Sequence, residues 1–366
     1  MKEITVKFPA APAASYSIFI EPGILRQTVA RVQEFLPLRR LFVVTDANVA
    51  AAGHLQTLLA SHSAPCYIVQ PAGEVSKNMG VLEAILEAME AAALGRDTVL
   101  LALGGGTIGD MAGLAAALFK RGVPVVHVPT TTVAQADSAI GGKTGVDSTM
   151  SKNAYGLFHH PAAVFVDVET LATLDAVQYS AGLAESVKHG LIADAEYFGY
   201  IEKNIDAIMA RRIDVLEHMA VTNVRIKASI VESDPAEENL RRVLNYGHTV
   251  GHAVESASEY RLLHGQAVAI GMVAAAMIEI EMGLGDISRL RRLRSMLSRL
   301  QLPTAMPQDL DPERIMKIMT RDKKAVAGWP RFILLDSIGR VHCEKGQWAM
   351  AVPRQTVEKV LAALAG

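Results

Sequence analysis

The sequence predicts an α/β N-terminal domain over residues 1–175 followed by a mostly α-helical C-terminal domain over residues 176–366. Three observations predict this. Short apolar runs alternate with helical segments in the first part, the rhythm of a parallel sheet covered on both faces. After about Asp175 those runs give way to long amphipathic segments. The length of 366 residues also allows two units at about 150 residues each.

The elements follow in order. LFVVTD (41–46) and CYIVQP (66–71) are β-rich. VLEAILEAMEAAAL (81–94) carries apolar residues at helical spacing among good helix formers. TVLLAL (98–103) is apolar at successive positions, which fits a strand buried on both sides, and VPVVHVP (123–129) and AVFVDV (163–168) repeat that pattern. Amphipathic segments then cover 181–210, 213–234 and 240–259, followed by a small-residue helix opening at His264 and a basic one over 288–300. RFILLDSIGRVHC (331–343) reads as a hairpin. No internal repeat or low-complexity linker is visible.

Composition narrows the function. Lys plus Arg number 36 against 38 Asp plus Glu, a net charge of −2, which argues against a general nucleic-acid binder. The two cysteines, Cys66 and Cys343, lie far apart and form no CxxC, which argues against a disulfide framework or a cysteine-bound zinc. The apolar run 267–278 has 12 residues, short of the roughly 20 that span a bilayer. The N-terminal segment lacks a clean signal-peptide core. The expectation is a cytoplasmic protein with neither membrane nor nucleic-acid partners.

Residues 104–109 read GGGTIG, between an apolar strand and a helical run. In that context glycines let backbone approach a pyrophosphate, and the helix start offers free N–H groups; a tight turn with no ligand is the plain alternative. No acid stands about 20 residues on, where a standard fingerprint grips the ribose. Asp46 or Glu74 are the candidates instead. The long polar stretch 129–153 carries Lys143 and Lys152 beside hydroxyls and glycines, a candidate phosphate-binding loop or a solvated one.

In NYGHTVGHAVE, His248 and His252 stand four apart, on one face of a helix. His264 follows, and Glu185 lies upstream in an otherwise apolar helix. Histidines plus one carboxylate suit a catalytic zinc with an open position. Lys188, Lys227, Arg241, Arg242, Lys323 and Lys324 add positive charge. Jointly these features point to redox chemistry on a phosphorylated, anionic, hydroxylated substrate, although each charge singly fits a solvated helix face.

From about Thr45 to Gly339 the sequence resembles the 3-dehydroquinate synthase family of sugar-phosphate cyclases. GGGTIGDMAG, RGVPVVHVPTT, AQADSAIGGKTGV, KNAYGLFHHP, AGLAESVKHG, LRRVLNYGHTVGHAVE, LHGQAVAIGM and DKK occur in the family's order. The resemblance implies a nucleotide-binding α/β domain, a metal-binding helical domain, an active site in the cleft and a homodimer. It implies NAD and Zn²⁺ or Co²⁺ as cofactors. The implied reaction turns 3-deoxy-D-arabino-heptulosonate 7-phosphate into 3-dehydroquinate and phosphate by transient oxidation, phosphate elimination, re-reduction and aldol closure.

By the resemblance, Glu185, His248 and His264 are the metal ligands, and His252 turns to the substrate phosphate. Lys143, Asn153, Asn245 and Lys324 share that phosphate, with Arg121 lent across the dimer. Arg241 and Lys227 match the carboxylate grip, and Lys188 and Asp137 contact substrate hydroxyls. The NAD contacts implied are Asp46, Asn48, Glu74, Lys77, Gly105, Gly106, Asp110, Thr130, Thr131 and Lys152. The sequence departs from the family pattern at Asp147, His159, His160, Ser186, His189 and Gln266. A sibling cyclase acting on sedoheptulose 7-phosphate, glucose 6-phosphate or an amino analogue, a metal-dependent polyol dehydrogenase, and a catalytically silent binding protein are the competing readings.

Overall fold

A computed structural model describes residues 15–320 and 329–365. The first part runs β1 (Ser17–Ile20), α1 (Thr28–Phe35), β2 (Arg40–Asp46), α2 (Ala47–Ala51), α3 (His54–Leu58), β3 (Cys66–Val69), α4 (Met79–Ala91), β4 (Thr98–Gly104), α5 (Gly106–Leu118) and β5 (Val125–Pro129). A hairpin of β6 (Lys143–Val146) and β7 (Tyr155–Phe158) precedes β8 (Ala163–Val166).

Six of these strands form one parallel sheet in the order β1-β8-β5-β4-β2-β3. Successive side chains point to opposite faces, and each face has its own helices. Leu41, Val43, Leu101 and Leu103 pack with Val29 and Val32 of α1 and Leu58 of α3. Phe42, Val44, Leu100 and Ala102 pack with Leu82 and Ile85 of α4 and Met111 of α5. That two-sided burial is why these strands read as unbroken apolar runs. From β2 the chain moves out to β3 and then returns to β4 on the other side of β2. Such a reversal opens a crevice at the carboxyl ends of the strands, where Asp46 closes β2 and Gly104 closes β4.

Two parts of this half differ from the expectation. Ser17–Ile20 is not among the expected strands, although Ile18, Phe19 and Ile20 are good strand formers, and it pairs in parallel with β8 at the sheet edge. The stretch 129–153 is less irregular than its composition suggests. It contains a π-helical turn, Ala134–Ser138, and the strand β6.

The second part is α6 (Ala176–Ala193), α7 (Ala195–Met209), α8 (Ile213–Ser233), α9 (His248–Ala257), α10 (His264–Glu281), α11 (Ile287–Arg299), α12 (Pro312–Thr320) and α13 (Arg354–Ala365). The amphipathic segment 181–210 is divided at Asp194, whose carboxylate caps α7 by accepting from the Tyr197 N–H. The segment 240–259 starts as a 3₁₀ turn, Leu240–Asn245, and breaks at Gly247, where φ is +78°. Glycine adopts that left-handed geometry without steric cost. β9 (Arg331–Phe332) does not join the expected hairpin, which is made by β10 (Leu335–Ser337) and β11 (Arg340–Val341); β9 pairs with β12 (Met350–Ala351). Among the described residues, no helix is long and apolar enough to cross a membrane.

A buried ion pair ties the last helices together. Glu279 of α10 accepts from Arg289 Nη2 of α11 at 2.6 Å and from the Leu335 N–H at 2.8 Å. Glu279→Ala leaves a buried guanidinium without its counter-charge, and the expected loss is about 3–5 kcal/mol in chemical denaturation.

Candidate active site

The glycine loop lies where the crevice opens. Gly105 caps α5 and Gly106 begins it. A β-carbon on Gly105 would stand 2.9 Å from Thr131 Cγ2, and one on Gly106 2.9 Å from Ser138 Oγ, so any side chain there would have to displace a neighbour, and glycine leaves the backbone accessible. Thr130 is buried next to the loop, its N–H bonded to the Gly104 carbonyl and its hydroxyl without a partner. Asp46 Oδ1 accepts from the N–H groups of Asn48 and Val49, which leaves Oδ2, and burial raises its pKa. Thr107 Oγ1 donates to Glu74 at 2.9 Å. Lys77 bonds Asp110 and Asn153, each at 2.6 Å. Asn153 thus sits against Lys77, which the resemblance gives to the nucleotide, while it gives Asn153 itself to the phosphate. Lys152 stands between Glu74 (3.1 Å) and Glu255 (2.8 Å).

The metal candidates come from three helices. Glu185 on α6 is 1% exposed, its carboxylate enclosed by side chains of three helices. Its Oε1 lies 3.7 Å from His248 Nε2 on α9 and 3.6 Å from His264 Nε2 on α10. Lys188 pairs with its other oxygen. His248 Nδ1 faces the Tyr246 carbonyl at 3.1 Å, and His264 Nδ1 faces Glu255 Oε2 at 3.3 Å. Both rings are thus held from behind with Nε2 turned inward.

His252 is exposed and joins the group edge-on, its ring centre 5.1 Å from that of His248. The three imidazoles offer nitrogens that all lie within 4.8 Å of one another. Helical spacing and the family pattern therefore lead to one cluster. A donor set of two imidazole nitrogens and a buried carboxylate fits zinc or cobalt.

The electrostatics follow from burial and charge. Burial opposes ionisation of Glu185, but Lys188 and the two histidines hold its carboxyl well below the usual range. Burial and the nearby Lys188 push His248 well down. Burial also opposes the charge on His264, yet hydrogen bonds to Glu185 and Glu255 raise it to about 9.

Small residues let the helices approach. A β-carbon on Gly265, next to His264, would overlap the Ala181 carbonyl of α6, and one on Gly271 would overlap the Gly247 carbonyl. Without these contacts Glu185 and His264 would stand farther apart.

Further cations line the same region. Lys227 is buried and lies 2.8 Å from Asp137 Oδ1. Burial lowers the Lys227 pKa, while Asp137, whose own burial works the other way, is held low by Lys227 and Lys188. Arg241 is 2% exposed; its terminal nitrogens donate to the Pro235 and Gly141 carbonyls, and Nε has no partner. Glu237 pairs with Lys143 and accepts from Asn245 at 3.1 Å.

Glu237 and Glu255 escape the sequence reading. Glu255 falls seven residues after His248, close to its helix face, and that spacing is a usable signal. Glu237 lies in a loop at φ +59° and has none. Arg121 sits in the turn after α5 at φ +69°, and among the described residues no hydrogen bond or ion pair links it to the other candidates. Lys323 and Lys324 fall outside the described residues.

The departures from the family pattern have local partners. Gln266 Oε1 accepts from the Leu263 N–H and caps α10. Asp147 accepts from the Asn153 N–H, and His159 Nε2 faces the Val123 carbonyl at 3.0 Å. His160 stacks against Tyr16, with ring centres 6.1 Å apart. Ser186 and His189 meet through Asn223, at 2.9 and 3.0 Å.

Comparison with known proteins matches the same regions. The 3-dehydroquinate synthase N-terminal model covers residues 67–181 and the 3-dehydroquinate synthase C-terminal model covers residues 182–325. A 3-dehydroquinate synthase from Symbiobacterium thermophilum is 45% identical over 86% of this chain and 89% of its own length. One from Geobacter metallireducens is 43% identical over 89% and 91%. Among solved structures, 2-epi-5-epi-valiolone synthase from Streptomyces hygroscopicus, with NAD⁺ and Zn²⁺ bound, is 30% identical with a TM-score of 0.87, covering 98% of this chain and 99% of its own. A 2-deoxy-scyllo-inosose synthase complexed with carbaglucose-6-phosphate, NAD⁺ and Co²⁺ is 26% identical with a TM-score of 0.82, covering 94% and 95%.

Gly265→Ala forces α10 away from α6. It is expected to cost about 1–3 kcal/mol in denaturant unfolding and to weaken zinc binding in a chelator-competition titration. A folded variant with unchanged zinc affinity would show that this helix contact does not set the ligand spacing.

Proposed function

The chain belongs to the 3-dehydroquinate synthase family, and from that membership we propose that it converts 3-deoxy-D-arabino-heptulosonate 7-phosphate into 3-dehydroquinate and phosphate, as a phosphate-eliminating lyase. The proposed course is transient oxidation, phosphate elimination, re-reduction and intramolecular aldol closure, with no net redox change. Residues 1–175 hold NAD in this reading, and residues 176–366 hold the metal and most of the substrate. The protein acts in the cytoplasm as a homodimer.

The observation that carries the reading is the convergence of Glu185, His248 and His264 beside buried cations. Glu185 pairs with Lys188 through Oε2, and each histidine turns Nε2 toward Oε1. These three residues would hold Zn²⁺ or Co²⁺, and His252 remains on the exposed side for the phosphate. When bound, the metal supplies Lewis acidity and the nicotinamide a reversible two-electron acceptor.

The chain's own groups do the rest. The Gly105–Gly106 backbone and the start of α5 receive the pyrophosphate, with Asp46, Asn48, Glu74, Lys77, Asp110, Thr130, Thr131 and Lys152 around the nucleotide. Lys188 and Asp137 orient substrate hydroxyls. Arg241, with Nε unspent, and Lys227 take the carboxylate, because a planar guanidinium matches a planar anion. Lys143, Asn153, Asn245, His252 and Lys324 take the phosphate, and Arg121 reaches a neighbouring subunit's phosphate.

The experiment follows phosphate and 3-dehydroquinate together at catalytic NAD⁺, with and without chelator. Both products are expected, in equal amounts, and chelator is expected to stop both. Stoichiometric NADH release would instead mark a polyol dehydrogenase, and preference for a sugar phosphate without the carboxylate would mark a sibling cyclase. His264→Ala is expected to lose activity together with metal, by more than the roughly 10–100-fold that outer partners of a ligand are worth. Arg241→Lys is expected to raise KM about tenfold or more, since a hydrogen bond to a charged group contributes about 1.5–3 kcal/mol; unchanged kinetics would remove Arg241 from the carboxylate site.

A further inference from the structure

A row of side chains runs unbroken from the glycine loop to the histidine cluster. Thr107 Oγ1, in the first turn of α5, donates to Glu74 Oε2 at 2.9 Å. Glu74 Oε1 lies 3.1 Å from Lys152 Nζ, and the same ammonium lies 2.8 Å from Glu255 Oε1. The other oxygen of Glu255, Oε2, faces His264 Nδ1 at 3.3 Å. Glu255 is 5% exposed, with its carboxylate divided between a cation and an imidazole. Lys152 also lies 4.7 Å from the centre of the Tyr260 ring, which keeps its ammonium at the junction of the two sites.

We propose that Glu255 is a positioning residue for His264, and that Lys152 makes its grip depend on the nucleotide, so that metal and nucleotide bind with positive coupling. The proposal rests on the reading above, in which His264 is a ligand and Lys152 a nucleotide contact.

The coupling is electrostatic. A carboxylate that accepts the Nδ1 proton fixes the ring and its tautomer, leaves the Nε2 lone pair facing Glu185, and makes that nitrogen a better donor to a metal. While Lys152 sits on Glu255, part of the carboxylate charge is neutralised by the ammonium. An anionic dinucleotide beside Glu74 draws the ammonium toward itself. Glu255 then directs its charge to His264, and the ligand strengthens. Coupling between two sites is reciprocal, so the metal tightens the nucleotide by the same factor.

The test uses the full-length protein freed of metal and nucleotide. Zn²⁺ affinity is measured by chelator competition with and without saturating NAD⁺, and Co²⁺ absorption reports ligand geometry. The wild type is expected to bind Zn²⁺ about fivefold or more tighter with NAD⁺. Glu255→Gln keeps the side-chain shape and is expected to weaken Zn²⁺ by about tenfold or more, with the NAD⁺ effect lost. Lys152→Met is expected to bind Zn²⁺ without nucleotide nearly as tightly as the wild type does with it, and to gain nothing from NAD⁺. A folded Glu255→Gln protein with wild-type Zn²⁺ affinity would overturn the positioning role. Full coupling retained in Lys152→Met would overturn the link to the nucleotide. A wild type that binds no metal would overturn the reading of the site itself, a separable result.

Discussion

The arrangement depends on one buried carboxylate. Glu185 is almost fully enclosed. A carboxylate in that position is costly unless positive charge surrounds it. Lys188 supplies one partner from the same helix, and His248 and His264 supply the others from α9 and α10. Three helices must therefore meet at one point, and the glycines at their crossings make the approach possible. The small-residue character of α10 follows from that requirement.

The same logic governs the neighbouring lysines. Lys227 sits on Asp137, Lys143 on Glu237 and Lys188 on Glu185. Each of these three lysines is matched by an acid, in keeping with a chain whose overall charge is −2. An incoming anion must compete with those carboxylates, so a simple anion gains less there than one whose several groups match several sites at once. Pairing also fixes the long lysine side chains before any ligand arrives, which lowers the ordering cost of binding.

The sequence carried the central strands and the main helices because their periodicity is local. β4 and β5 read as strands buried on both faces, and the two clusters flanking the sheet show why. It did not carry β1, a four-residue strand that exists because β8 offers it an edge from far along the chain. The hairpin of β6 and β7 was hidden in a stretch whose glycines and hydroxyls read as loop. The start of α9 is set by the backbone angle at Gly247, which apolar spacing does not encode.

For the site, motif order alone nominated Glu185, His248, His264, the glycine loop and most of the lysines. Residue type marks candidate donors there, because a metal or a pyrophosphate demands particular ones, but spacing alone groups His252 with His248, and only the resemblance separates their roles. Tertiary structure alone decided the rest. It turned Nε2 of two histidines inward, placed Glu255 behind one of them, set Glu237 between Lys143 and Asn245, and drew Asn153 to Lys77. Those outcomes depend on distances between residues remote in the chain, which only the packing of α6, α9 and α10 against one another and against the sheet can fix.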